Sequence, residues 1–197
     1  MQSEHYINQA FQSNFEINNQ TLQTLAPLIA HGSELLVQCL LSEHKILCCG
    51  EASNAALAQI FTSHLLNRFD YERPGLPAIS LACDATTLTA LCSDNSFNEV
   101  FSKQIRALGQ SGDILLVLSH GGSLATTIQA IQAAHDREMI VVSISDSDSQ
   151  DISSLMLPED IEFIIPGNDR PRVTETQLLI IHCLCALIDR QLFGSED

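Results

Sequence analysis

Residues 113–145 read DILLVLSHGGSLATTIQAIQAAHDREMIVVSIS, and this stretch decides the fold. It opens and closes on apolar runs of strand length, 113–119 and 139–145, that do not alternate with polar residues. Between them Leu124, Ile128, Ile131 and Ala134 share one helical face. Strands buried on both faces read as continuous apolar runs, and a helix between two of them is the crossover of a parallel sheet. The alternation continues outward. KILCCG (45–50) precedes a helical pattern over 54–66 whose apolar side carries Ala55, Ala58, Leu65 and Leu66. PAISLA (77–82) and IEFIIP (161–166) are two further strands, and a helix over 173–192 aligns Leu178, Ile181, Leu184, Cys185 and Ile188. Right-handed crossovers then predict an α/β fold, a three-layer, doubly wound sandwich with a five-stranded parallel sheet. The first 42 residues form a helical extension, with Ile7, Phe11 and Phe15 four residues apart. Pro27 and the His31-Gly32-Ser33 stretch are its expected breaks, Ser33 capping the next helix.

The chain has 197 residues, 24 acidic and 9 basic, a formal net charge of −15, with 45% hydrophobic and 17% charged side chains. That length suits one domain with a sizeable core, and the composition is too apolar for disorder. No apolar run approaches the ~20 residues of a membrane span. The opening MQSEHYINQAFQ lacks the basic start and apolar stretch of a secretory signal, so a cytoplasmic protein is expected. Scarce Lys and Arg argue against direct contact with nucleic-acid phosphates. Seven cysteines, an odd number without a Cys-x-x-Cys spacing, fit a reducing compartment. Cys48, Cys49, Cys183 and Cys185 read as small buried hydrophobes.

Open parallel sheets bind ligands beyond the carboxyl ends of their strands, near the switch point. Two loops there have suitable chemistry: Gly50-Glu51-Ala52-Ser53-Asn54 after the first strand and Ser119-His120-Gly121-Gly122-Ser123 after the third. Glycines let backbone N–H groups approach an anion, the hydroxyls add short hydrogen bonds, and a following helix N-terminus adds a favourable dipole. Neither loop is a GxxxxGK[ST] or GxGxxG motif, so a phosphorylated small molecule fits better than a nucleoside triphosphate. An ordinary strand-to-helix turn rich in turn formers remains the plain alternative.

Four stretches carry a resemblance over almost the whole chain: KILCCG, NRFDYERPGLPAISL, SDNSFNEVFSKQIRALGQSGDILLVLS and IIPGNDRPRVTETQLLIIHCLCALIDRQLF. They are similar to the sugar-isomerase (SIS) domain of the group holding phosphoheptose isomerase and DiaA, the DnaA initiator-associating protein, and resemble DiaA more closely. The resemblance implies a homotetramer assembled partly through the N-terminal helices (1–42), with 43–197 as the SIS domain. It also implies a phosphosugar-type pocket formed by Ser53, Asn54, Asp94, Ser119, His120, Gly121, Gly122 and Ser123.

Where the group has Gly-Asn-Gly-Gly-Ser in the first loop, this chain places Glu51, a carboxylate expected to repel an incoming phosphate. In the second loop His120 stands in place of Thr, Ser123 in place of Asn and Leu124 in place of Ser. The enzyme's metal and acid/base positions correspond to Ile60, His64, Thr174 and His182. His64 and His182 are thus the candidate proton carriers, zinc is not expected, and ketose isomerisation stands as the alternative function. Leu192 and Phe193 match residues that, in DiaA, serve assembly and initiator binding, which makes a DnaA-type initiator the expected partner and promotion of replication initiation the expected function. A role in capping the core is the plain reading of the same two residues.

Overall fold

The computed structural model describes residues 2–94, 96–121 and 125–194. Gly122, Ser123 and Leu124 therefore lie outside the described residues. Five strands, β1 (Ile46–Cys49), β2 (Ala78–Ser80), β3 (Ile114–Leu118), β4 (Ile140–Asp146) and β5 (Ile161–Ile165), form one sheet in the order β2-β1-β3-β4-β5. Every neighbouring pair is parallel. β1 and β3 are buried at every position, which is why both read as unbroken apolar runs.

Each face of the sheet has its own core. Cys48, Leu116, Leu118, Ile144 and Phe163 point to one side, with α1 (Gln2–Leu41), α2 (Ser53–Leu66) and α7 (Arg170–Phe193). Leu47, Cys49, Leu115, Val117 and Val141 point to the other, under α4 (Ser102–Leu108) and α5 (Ala125–Asp136). The sequence pattern missed α3 (Ala85–Ser93) and α4. α3 buries none of its residues and is started instead by the Asp84 carboxylate, which accepts from the backbone N–H groups of Thr86 and Thr87. The Thr87 hydroxyl, then its N–H, holds the Asp84 carboxyl below the ordinary carboxylate value. A short α6 (Gln150–Ser153) follows β4.

The N-terminal extension is a single helix of 40 residues, not a broken pair. Pro27 is exposed, and so is Gln23, whose carbonyl loses its partner to the proline on a solvent-facing side, and the helix runs on. Ser33 is no cap: its buried hydroxyl donates to the Ala30 carbonyl and accepts from the Gln191 amide of α7 at 2.8 Å. Gly32 marks a close approach between helix and sheet. A Cβ there would lie 2.5 Å from Cζ of Phe163, a fully buried ring on β5.

By length and mean hydropathy α1 and α7 could each cross a membrane, although polar residues interrupt the apolar positions of both. In this fold α7 lays Val173, Ile180, Ile181, Leu184 and Ile188 into the core, and α1 adds Leu25, Ile29, Leu36 and Val37. The first turns of α1 remain uncovered, with Tyr6, Ile7, Phe11 and Phe15 exposed.

The Gly32 contact makes a direct prediction. Gly32→Ala should destabilise the protein by about 1–3 kcal/mol through overpacking against Phe163, despite alanine's better helix propensity. Urea denaturation checks it; an unchanged or raised midpoint would show that the helix can move off the sheet without loss.

Candidate functional site

The strand order turns at β1 and β3, so the loops that follow these two strands border one crevice. Gly50 must be glycine, because a Cβ would sit 2.7 Å from Cβ of Asn54 in the first turn of α2. Ala52 then takes φ 52 and ψ −119, a conformation that a residue with a Cβ holds only at a cost of about 1–3 kcal/mol. This turn brings Ser53, the first residue of α2, to the second loop, where its hydroxyl lies 3.0 Å from Nε2 of His120. Ser119 is buried behind them, and among the described residues neither its hydroxyl nor the side-chain carbonyl of buried Asn54 has a partner. From α7, the Gln177 amide nitrogen donates to the Ser119 carbonyl at 2.7 Å and the Ile144 carbonyl at 3.1 Å, which ties the ends of β3 and β4 together.

Of the predicted pocket residues, Ser53, Asn54, Ser119, His120 and Gly121 thus meet at this crevice. Asp94 stands exposed at the end of α3, and among the described residues its carboxylate bonds to neither loop. Gly122 and Ser123 cannot be placed among the described residues. Glu51 is engaged differently from expectation. It accepts a short hydrogen bond from the Thr126 hydroxyl of α5 and lines a cavity of about 230 Å³ with Ala82, Leu88, Phe97 and Phe101. Its carboxylate is thus held at the start of α5, in a cavity that Ala52 of the same loop and Ala55 of α2 also line. Burial, then the nearby Glu51 charge, pushes the Cys49 thiol up to about 12.

His64 and His182 do come together, but elsewhere. Their rings lie 5.6 Å apart between α2 and α7, with Phe69 5.0 Å from the His64 ring and 5.6 Å from that of His182. His64 is eleven residues past Ser53, which at helical rise puts it roughly 16 Å down α2 from the crevice. Desolvation, then the neighbouring His64, lowers the His182 pKa below the ordinary 6.5 and favours a neutral ring. Two imidazoles are half of a tetrahedral zinc donor set. Ile60 and Thr174 add no ligand of the usual kind, and among the described residues no three His, Cys, Asp or Glu side chains converge. This donor set does not fit a zinc centre.

The sequence reading missed Arg73. Its Nε bonds Oδ1 of Asp189 on α7 at 2.9 Å, with both side chains only 1% exposed. Its remaining nitrogens donate to the carbonyls of His64 at 2.7 Å and Leu65 at 2.6 Å, which are orphan acceptors at the end of α2. The only available signal was the Arg in the ERP stretch. Phe193 lies over Arg73 at 6.0 Å and is 41% exposed, while Leu192 packs half-buried on the core. Cys48, Cys49 and Cys185 are buried as expected, but Cys183 is exposed at the groove between α1 and α7.

Residues 9–146 match the SIS domain family, and the chain belongs to that family. Within it, the similarities are to the phosphoheptose isomerase group. A phosphoheptose isomerase of Chromohalobacter salexigens is 50% identical over 187 residues, covering 95% of each chain. The structure of a phosphoheptose isomerase from Francisella tularensis superposes with a TM-score of 0.93 at 38% identity, over 96% of this chain and 100% of that one. The corresponding protein of Neisseria gonorrhoeae gives 0.89 at 33% identity, over 94% and 98%. None of these three carries the DiaA name.

Two outcomes test this geometry. Ala52→Gly should relieve the backbone strain and raise the melting temperature by about 2–4 °C, equivalent to about 1 kcal/mol in a chain of this size; a lowered melting temperature would contradict the strained turn. For His182, the unfolded chain binds a proton that the native chain does not, between pH 6.5 and the lowered native value. Stability should therefore fall as the pH drops through that window. The fall should be smaller in His182→Gln, as read from urea midpoints at pH 7.5 and 5.5, and an identical fall in both proteins refutes the assignment.

Proposed function

We propose that this chain is a phosphosugar isomerase of the phosphoheptose type, acting on a ketose phosphate such as sedoheptulose 7-phosphate. The observation that supports it most is the crevice itself. Ser53 at the N-terminus of α2, buried Ser119 and the glycine-bearing loop after β3 sit at the switch point of a sheet shared with proteins named for that activity. Hydroxyls and backbone N–H groups at a helix N-terminus suit a phosphate that has no lysine to bind. Isomerisation moves a proton from C1 to C2 through an enediol, which takes a base and an acid rather than a redox group. A neutral His182 is able to accept a proton, so His64 and His182 are the carriers that sequence reasoning nominates. Pocket formation at the Ser53–Ser119 crevice and catalysis at His64–His182 are then joined through assembly. The uncovered stripe Tyr6, Ile7, Phe11 and Phe15 and an apolar groove of about 230 Å³ between α1 and α7, lined by Leu22, Ile29, Leu179 and Leu187, are the surfaces for a homotetramer.

A second reading is a DiaA-like regulator that binds a DnaA-type initiator and promotes replication initiation. Phe193 favours it, as a large aromatic left exposed at the end of α7 beside Leu192. So does the incomplete metal set at Ile60 and Thr174, since a regulator has no need of it.

One pair of assays separates the readings. Aldose formation from sedoheptulose 7-phosphate is expected, falling at least tenfold in His182→Ala; no turnover with or without added zinc removes the isomerase. Capture of purified DnaA-type initiator at low salt, lost in Phe193→Ala, would establish the regulator, and failure to capture it removes that reading. A monomer in sedimentation removes the tetramer.

A further inference from the structure

We infer that Arg170, the first residue of α7, is the cation that binds the phosphate of a sugar phosphate in the crevice; this rests on the isomerase reading and names the charged contact its substrate needs. A phosphate monoester carries about 1.5–2 negative charges at pH 7, whereas the two crevice loops offer it only hydroxyls and backbone N–H groups. The chain has 9 basic side chains against 24 acidic ones, so few can supply the counter-charge. Among the described residues, all of them except Arg170 and Arg190 pair with a carboxylate or, for Arg137, with the Gly109 carbonyl. Arg190 is in the last turn of α7, roughly 30 Å along the helix from Arg170. Arg170 is exposed and stands at the second loop.

Its Nε and Nη2 lie 3.8 and 3.9 Å from where a Cβ on Gly121 would be. Gly121 takes φ 48, a conformation that suits glycine, and its missing side chain leaves this approach open. The preceding residue, His120, lies 3.0 Å from the Ser53 hydroxyl, so a hydroxyl and a guanidinium flank one two-residue stretch of the loop. Buried Ser119, one residue earlier, has a hydroxyl with no partner among the described residues. The acidic groups nearby are engaged or turned away. Asp146 is 2% exposed, and its Oδ1 accepts from the Ser149 hydroxyl at 2.7 Å and the Asp148 N–H at 3.2 Å. Its Oδ2 lies 3.7 Å from the same Cβ position without pairing with Arg170, so it draws the guanidinium to the loop and leaves the N–H groups unbonded. The Asp169 side chain does not cap α7, which leaves the positive end of that helix open, and Glu51 is held by Thr126.

Nε and Nη2 form one edge of the guanidinium fork, and their nearly equal distances to one point turn that edge to the loop. This edge gives two parallel N–H bonds to two oxygens of one phosphate, a geometry that lysine cannot reproduce. The Ser53 and Ser119 hydroxyls are placed to donate to the remaining oxygens. Arg170 thus anchors the phosphate and takes no part in proton transfer. In a ketose phosphorylated at the far end of its carbon chain, C1 and C2 are the atoms most distant from this anchor.

Calorimetry on the full chain tests the contact, with Arg190→Gln as a control that changes the charge equally. The probes are sedoheptulose 7-phosphate and inorganic phosphate, which needs no sugar match. Binding should weaken at least tenfold in Arg170→Gln and by less in Arg170→Lys, which keeps the charge and loses the fork. Arg190→Gln should stay within twofold of the wild type. Equal weakening in both Gln variants assigns the effect to overall charge and overturns the contact. Unaltered binding in Arg170→Gln, or a wild type that binds neither probe, overturns it as well. Turnover keeps this apart from the isomerase reading. In an active wild type, Arg170→Gln should raise KM at least tenfold with kcat within threefold, the pattern of lost uniform binding. An unchanged KM overturns Arg170 and leaves the isomerase intact. A wild type that binds the sugar phosphate through Arg170 without turning it over supports the contact and removes the isomerase.

Discussion

A single buried guanidinium organises the half of the molecule that faces α7. Arg73 leaves the loop after α2, turns inward, satisfies the carbonyls of His64 and Leu65 and ends against Asp189. A helix end buried without partners is costly, and so is a charge without a counter-charge; here each cost offsets the other. The result fixes three things together: where α2 stops, how α2 and α7 cross, and which way His64 faces His182. The Tyr71 hydroxyl adds a bond to the Gly194 carbonyl at 2.9 Å, so the same loop also holds the end of α7 under Phe193. Removing one partner of such a pair typically costs about 3–5 kcal/mol, far more than the pair adds over apolar packing. Its value is positional.

That positioning separates two chemical centres in the chain. At the carboxyl edge of the sheet stand small hydroxyls, unsatisfied acceptors and one imidazole. Roughly 16 Å along α2 stand two imidazoles and an aromatic ring. Isomerisation needs a phosphate cradle and a proton carrier within one substrate's length. Of the three imidazoles, His120 borders Ser53 directly, whereas His64 and His182 stand at the far end of α2. His64 and His182 serve only if another copy brings its own α2–α7 seam to the crevice.

The strands were legible in sequence because both faces of a parallel sheet are covered, which leaves continuous apolar runs such as residues 114–118. α3 was not legible, since a helix that buries nothing leaves no periodic stripe. The breaks expected in α1 failed for a reason that spacing cannot show: Pro27 faces solvent and Gly32 faces Phe163, and only tertiary packing tells these from a helix end. In the site, the two loops were legible from composition. Arg73 was not, because it acts on a residue brought to it by helix crossing. The Arg73 partner lies 116 positions away.

The location of the acid changes what the charge of −15 can mean. Read as a field, it favours meeting a basic partner and disfavours a phosphate. Yet Asp113, Asp146 and Asp189 are at most 2% exposed, and the Asp160 side chain is 1% exposed. Asp113 bonds Lys45 at 2.6 Å, Asp189 bonds Arg73, and Asp160 receives the N–H groups of Val141 and Leu157 and faces His135 at 2.8 Å. These carboxylates spend their charge inside the fold, and Glu51 spends its own on Thr126. Lys45 and Arg73 are already subtracted in the net charge, so these pairings fix where the charge sits and leave its sum, and the attraction of a basic partner, unchanged. The local objection to a sugar phosphate changes, since the Glu51 carboxylate thought to bar the crevice is engaged by the Thr126 hydroxyl. The buried carboxylate beside the crevice loop is Asp146, and its Oδ1 is already engaged by the Ser149 hydroxyl and the Asp148 N–H.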